Sequence, residues 1–108
     1  MAIEFNRAHY RVTYPVAVRP TLDWEGRSSV VVDVSEHGIG FLHPDAPAEI
    51  GTIVRGILRF RSSQVIAVAG TVVRVFDGVV GVRLRTELPY SLIMEEQLYL
   101  QKRFPTRW

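Results

Sequence analysis

Two short clusters in this sequence carry side chains suited to holding a charged, hydrogen-bonding ligand. Arg7 and Arg11 stand four residues apart in Arg-Ala-His-Tyr-Arg, at the mouth of the first strand-like run. Asp33, Ser35 and Gly38 stand in Asp-Val-Ser-Glu-His-Gly, at the end of the second. An arginine presents a planar, permanently charged fork of N–H donors that matches a phosphate or the O6/N7 edge of guanine, and its plane can stack on a base. An aspartate offers two acceptors to the N–H groups of a guanine edge, and a serine adds a small donor and acceptor. Glycine lets a backbone approach a ligand closely. Each cluster alone has an ordinary explanation. Two arginines at this spacing are common on solvated faces, and Asp-x-Ser followed by Gly is a common turn. Together they supply phosphate charge, a base edge and close backbone, three things needed to hold a guanine nucleotide.

The elements that must position these clusters are mostly strands. From Tyr10 to Val18 the even positions (Tyr10, Val12, Tyr14, Val16, Val18) are apolar, with Arg11, Thr13 and Arg19 on the other face, which predicts one half-buried strand. Asp23-Trp24-Glu25-Gly26 reads as a turn. Ser28 to Val34 reads as a second strand with Val30, Val32 and Val34 on one face, and Ile39 to His43 as a third after the Ser35–Gly38 break. Thr52 to Phe60 and Gln64 to Phe76 follow, and Asp77-Gly78 between Val-rich runs is a hairpin signal leading to a last strand, Val79 to Arg85. Ser91 to Arg103 holds good helix formers and no glycine, with Pro89 placed to begin a helix and Pro105 to end it. Glu95 and Glu96 are read as a solvated helix face lying early in that helix, and Lys102 and Arg103 as its basic end, an order that suits the helix dipole. About six short antiparallel strands in a chain of 108 residues predict a closed or nearly closed barrel, with the helix over one opening or face.

Composition narrows the function classes. There is no cysteine, which removes disulfide scaffolds, thiolate metal sites and cysteine nucleophiles and fits a reducing, cytoplasmic setting. The longest apolar stretch, Val65 to Ala69, is far too short to span a bilayer. Lys102 is the sole lysine among 13 basic residues, yet the formal net charge is only +2. The excess is local. Residues 1–21 and 102–108 are net positive and the middle of the chain is net acidic, whereas a nucleic-acid-binding domain usually shows a broad basic face. Codon bias explains a preference for arginine equally well, so the count alone assigns no role. His9, His37 and His43 lack metal-ligand spacing, no nucleophile motif is present, and neither a catalytic nor a metal site is expected. Trp24 either faces a partner or packs on the barrel.

The ordered set of motifs resembles the PilZ domain family. Arg-x-x-x-Arg (Arg7, Arg11) precedes Asp-x-Ser-x-x-Gly (Asp33, Ser35, Gly38) by about twenty residues. Ile39-Gly40-Phe41, Gly51-Thr52-Ile53-Val54, Gly70-Thr71-Val72-Val73-Arg74 and Val80-Gly81-Val82-Arg83-Leu84 are similar to later segments of that family. The resemblance covers roughly residues 5–104. It implies an all-β fold, a six-stranded antiparallel barrel with a C-terminal helix, forming one domain over 1–108: a flexible basic segment at about 1–9, a barrel at about 10–86 and a helix at about 89–104. It implies a receptor for the bacterial second messenger cyclic di-GMP, with no other cofactor, in which Arg7 and Arg11 grip phosphate and guanine faces. Asp33 and Ser35 then bond a guanine and Gly38 shapes the turn. Asn6 stands where many members carry a further arginine, which bears on whether one ligand or a stacked pair is bound. The expected behaviour is ordering of the N-terminal segment over the ligand and regulation of a partner protein or an attached polysaccharide synthase, with no DNA or RNA bound. Two rival readings are a small barrel binding single-stranded nucleic acid, which needs a basic groove interleaved with aromatics, and a ligand-independent interaction module of the same fold.

Overall fold

The computed structural model describes residues 11–43 and 49–105. Seven strands are present: β1 (Arg11–Thr13), β2 (Thr21–Trp24), β3 (Arg27–Ser35), β4 (Gly38–Leu42), β5 (Ile53–Arg59), β6 (Val65–Phe76) and β7 (Val79–Leu84), followed by a helix, α1 (Tyr90–Arg103). All pairings are antiparallel, in the order β1-β3-β2-β5-β6-β7-β4. The additional β3–β4 pairing closes β2 to β7 into a six-stranded barrel. The seventh strand, β1, lies beside the C-terminal half of β3, with Arg11 opposite Ser35 and Thr13 opposite Asp33.

The predicted count of six barrel strands holds, but its membership differs. The run from Tyr10 to Val18 is not one strand. Pro15 follows β1, and Val16–Val18 form a single 3-10 turn. That turn leaves Val12, Tyr14 and Val18 buried but throws Val16 out, 77% exposed. The chain then re-enters as β2, whose last two residues, Asp23 and Trp24, belong to the strand and not to the expected Asp23–Gly26 turn. Only Glu25 and Gly26 turn, with φ of 49° and 75°, the doubly positive geometry whose twist matches a two-residue hairpin. Leu22 and Trp24 point inward. Trp24 therefore packs in the core, and its Nε1 donates to Ser29 Oγ at 3.0 Å. Asp77 and Gly78 form the second such turn, as predicted, with φ of 56° and 79°.

Two bulges break strict alternation. On β3 the register with β4 shifts between Val31 and Asp33. Val31 and Val34 consequently face the core while Val30 is exposed, so the expected Val30, Val32, Val34 face does not form. On β6 the register with β7 shifts between Val72 and Arg74. A bulge bends its strand and re-aims the side chains that follow.

The interior is filled from every strand, with Val12, Leu22, Val31, Ile39, Phe41, Leu58 and Val72 among the fully buried side chains. Ile93 and Leu100 of α1 complete it. Glu96 corrects the reading of Glu95-Glu96 as a solvated pair. It is fully buried, accepting from the Tyr14 hydroxyl at 2.6 Å and from Ser62. Only Glu95 is exposed, beside Gln64. The helix begins at Tyr90, so neither acid is in its first turn, while Lys102 and Arg103 do occupy the last.

Candidate functional site

The strand register lays two rows of residues across the outer face of the barrel. One row runs Arg11, Ser35, Gly38, Arg83 across β1, β3, β4 and β7. The next runs Asp33, Gly40, Gly81, Arg74 across β3, β4, β7 and β6. The middle of both rows is small, Ser35, Gly38, Gly40 and Gly81, and these four residues are buried, with the Asp33 side chain lying over Gly40 and the Arg74 side chain along Gly81. The ends carry charge. The result is a trough with a glycine floor, Arg11 and Asp33 on one wall and Arg74 and Arg83 on the other. Four strands at about 4.8 Å separation put the walls roughly 14 Å apart at the backbone. A cleft of about 190 Å³ lies in this trough, lined by residues of both walls and the floor together with His37 and Val73.

Four of the five residues singled out in the sequence meet here. Arg11 Nη1 donates to Asp33 Oδ1 at 2.6 Å. Their side chains stay 43% and 19% exposed, so both remain reachable by a ligand. Ser35 is buried and its Oγ donates to the Gly38 carbonyl at 3.4 Å, closing the turn between β3 and β4. Gly38 does not need a positive φ, since only Gly26, Gly51 and Gly78 among the described glycines adopt one. It is glycine because a Cβ there would stand 2.9 Å from the Val82 carbonyl oxygen of β7. Arg7, the fifth, lies outside the described residues, as do His9 and the rest of the 1–10 segment.

Besides Gly81, three further residues of these rows are not singled out as site residues by the sequence pattern. Gly40 is the first: a Cβ at this position would stand 2.9 Å from Asp33 Oδ1, so the Asp33 carboxylate leans over a gap that only glycine provides. Arg74 and Arg83 are the others, left among arginines with no assigned role. Their signal was present in the Thr-Val-Val-Arg and Gly-Val-Arg segments, but the bulge that turns Arg74 toward Gly81 is invisible to a period-two reading. Among the described residues neither Arg74 nor Arg83 has a carboxylate in salt-bridge range, whereas Arg11 and Arg59 do. His37 Nδ1 is 3.3 Å from Glu87 Oε2 at the rim. Among the described residues the trough is thus richer in cation than in anion, with Asp33 as an acceptor beside it.

This closed barrel with its helix, carrying an Arg-Asp pair beside a Ser-x-x-Gly turn, can be set against known proteins. The family model for the PilZ domain matches residues 5–99. The chain belongs to the PilZ domain family. PilZ domains are binding and regulatory domains of a cyclic di-GMP receptor family, not enzymes. The PilZ chain also superposes on two solved structures. The Bacillus subtilis inhibitor of motility MotI/DgrA matches with a TM-score of 0.64 at 15% identity, covering 96% of this chain and 55% of that one. The crystal structure of an uncharacterized Legionella protein matches with a TM-score of 0.60 at 12% identity, covering 88% and 97%. At such identities the likeness is one of fold. No curated protein matches the sequence. Among the described residues, no helix of this PilZ domain is long and apolar enough to cross a membrane.

Proposed function

We propose that this PilZ domain binds cyclic di-GMP in the glycine-floored trough and passes the binding event to a protein partner. The observation that carries this reading is the Arg11–Asp33 pair at 2.6 Å, whose Arg11 lines the cleft together with Ser35 and Gly38. Arg11 gives the ligand a charged planar fork, Asp33 gives a guanine edge an acceptor, and the glycine floor sets no side chains of its own between the two walls. Arg7 belongs to the same grip in this reading, as the other half of the Arg-x-x-x-Arg motif. The cleft is smaller than the ~300–1,000 Å³ of ordinary ligand pockets, so a dinucleotide extends beyond it.

The output is control of a partner such as a motility or exopolysaccharide system, with the ligand changing the surface shown to it. Binding of single-stranded nucleic acid draws less support. Tyr14, Trp24, Phe41 and Phe60 are buried, which removes them as stacking platforms. Calorimetric titration of cyclic di-GMP into the protein and into Arg11→Ala tests the proposal. Saturable heat with the first and a markedly weaker response from the second are expected. No heat with the unsubstituted protein, or equal affinities, refutes it.

A further inference from the structure

The second wall of the trough has no role in the motif that identifies the first. We propose that Arg74 and Arg83 form a second anion grip opposite Arg11 and Asp33, so that the site takes a ligand carrying two separated negative charges. This inference rests on the cyclic di-GMP reading and assigns the part of the ligand that Arg11 cannot reach.

Three observations carry it. The first is register: Arg83 sits in the row of Arg11, and Arg74 in the row of Asp33, each across two small residues. The two bulges, at β3 and β6, turn Asp33 and Arg74 over the floor from opposite sides. The second is space. A Cβ built on Gly81 would lie 3.5 Å from the Arg74 Cβ, Nε and Nη2 atoms, an ordinary contact, and Gly81 has no positive φ. The Arg74 guanidinium therefore lies down along Gly81 inside the cleft and does not stand away into solvent. The third is charge. Arg74 and Arg83 both line the cleft, and among the described residues no carboxylate lies in salt-bridge range of either, while Arg11 is already paired with Asp33. Cations brought together without a counter-charge favour an anion between them. A mononucleotide carries its charge at one end and satisfies one wall. A cyclic dinucleotide carries a phosphodiester on each side of its ring and satisfies both.

The experiment compares cyclic di-GMP binding by the unsubstituted protein, Arg11→Ala, the double variant Arg74→Ala/Arg83→Ala and the double variant Arg74→Lys/Arg83→Lys, each at low and high salt. Both arginines are on the outer face, so thermal unfolding of both double variants should match the parent. The double alanine variant is expected to bind at least about tenfold more weakly, as for lost charge-assisted contacts. Its affinity should also depend less on salt than the parent's, because fewer charges are screened. The double lysine variant should recover part of the loss, keeping charge without the planar fork. Parental affinity and salt dependence in the double alanine variant, while Arg11→Ala is weakened, overturn this inference and leave the cyclic di-GMP reading standing. Absence of binding by the unsubstituted protein overturns both.

Discussion

The Tyr14 hydroxyl donates to Glu96 Oε1 at 2.6 Å, tying a fully buried carboxylate of α1 to the chain three residues beyond Arg11. Ser62 donates to the other oxygen, so the segment just after β1, the helix and the β5–β6 connection share one carboxylate. A buried carboxylate is tolerated only when its oxygens are satisfied. Tyr14→Phe keeps the ring in the core and leaves one oxygen without its donor. A loss of about 1–3 kcal/mol is expected, read as a lower urea midpoint at an unchanged slope. A variant as stable as the parent would show that this bond contributes nothing net to holding the helix.

The same residue sets the alkaline limit of stability. Burial raises the Tyr14 phenol well above its ordinary range, and the charge and hydrogen bond of Glu96 push it the same way. In the unfolded chain a tyrosine ionises near pH ~10. Above that pH the folded chain keeps a proton that the unfolded chain has lost. Stability from this group is therefore complete below pH ~10 and declines as pH rises further. The thermal midpoint should fall between about pH 9 and pH 11, and Tyr14→Phe should flatten that fall. An identical decline in the variant would assign it to other groups. Asp23 acts in the opposite direction: the Arg59 Nε, at 2.7 Å, holds its carboxyl below the usual range, helped by Ser28. Its contribution is present above about pH 4 and is lost as pH falls, and its exposure keeps it small.

Much of the fold was legible because period two and turn chemistry are local signals. Asp77-Gly78 announced its hairpin, and Leu92, Ile93 and Leu100 fell on the buried side of a segment with evident helix formers. What failed depended on long-range pairing. β2 is four residues long, and only its partners β3 and β5 make it a strand. The Val32 and Val73 bulges leave no trace in composition, yet they decide which valines face inward and where Asp33 and Arg74 point. The buried Glu96 was hidden for the same reason. Beside Glu95 it looks like a solvated pair, and its donors, Tyr14 and Ser62, are 82 and 34 residues away in sequence. The first wall of the trough is built from two short motifs, each compact in sequence, although Arg11 and Asp33 themselves are 22 residues apart. The second wall consists of two arginines that only the barrel's closure brings round.

Gly38 and Gly40 are glycines for different reasons, and alanine at each should separate fold from site. At Gly38 a Cβ meets the Val82 carbonyl at 2.9 Å, and strand backbone yields poorly. Gly38→Ala should destabilise the barrel by about 1–3 kcal/mol, as overpacking does. At Gly40 the Cβ meets the Asp33 carboxylate, the end of a side chain that can swing away. Gly40→Ala should leave thermal unfolding nearly unchanged and weaken cyclic di-GMP binding, because Asp33 is displaced from the floor. Loss of stability in Gly40→Ala comparable to that in Gly38→Ala would contradict this division.

Arg11 and Asp33 form an ion pair, and a ligand-binding role for Asp33 must be separated from its hold on Arg11. Arg11→Ala should weaken cyclic di-GMP binding by about 1.5–3 kcal/mol. Asp33→Ala removes an acceptor for the base edge and also frees the Arg11 guanidinium to take other positions. If steadying Arg11 were its only role, adding Asp33→Ala to an Arg11→Ala background would change nothing. If Asp33 also accepts from guanine, the double variant should bind more weakly than Arg11→Ala, though by less than the sum of the two single losses, since contacting residues are not additive. The second outcome is expected. Asp33 leans over Gly40, and with Oδ1 accepting from Arg11 its Oδ2 is the oxygen that a guanine edge would meet in the proposed site. Titrations of the four proteins under one salt condition decide between the two.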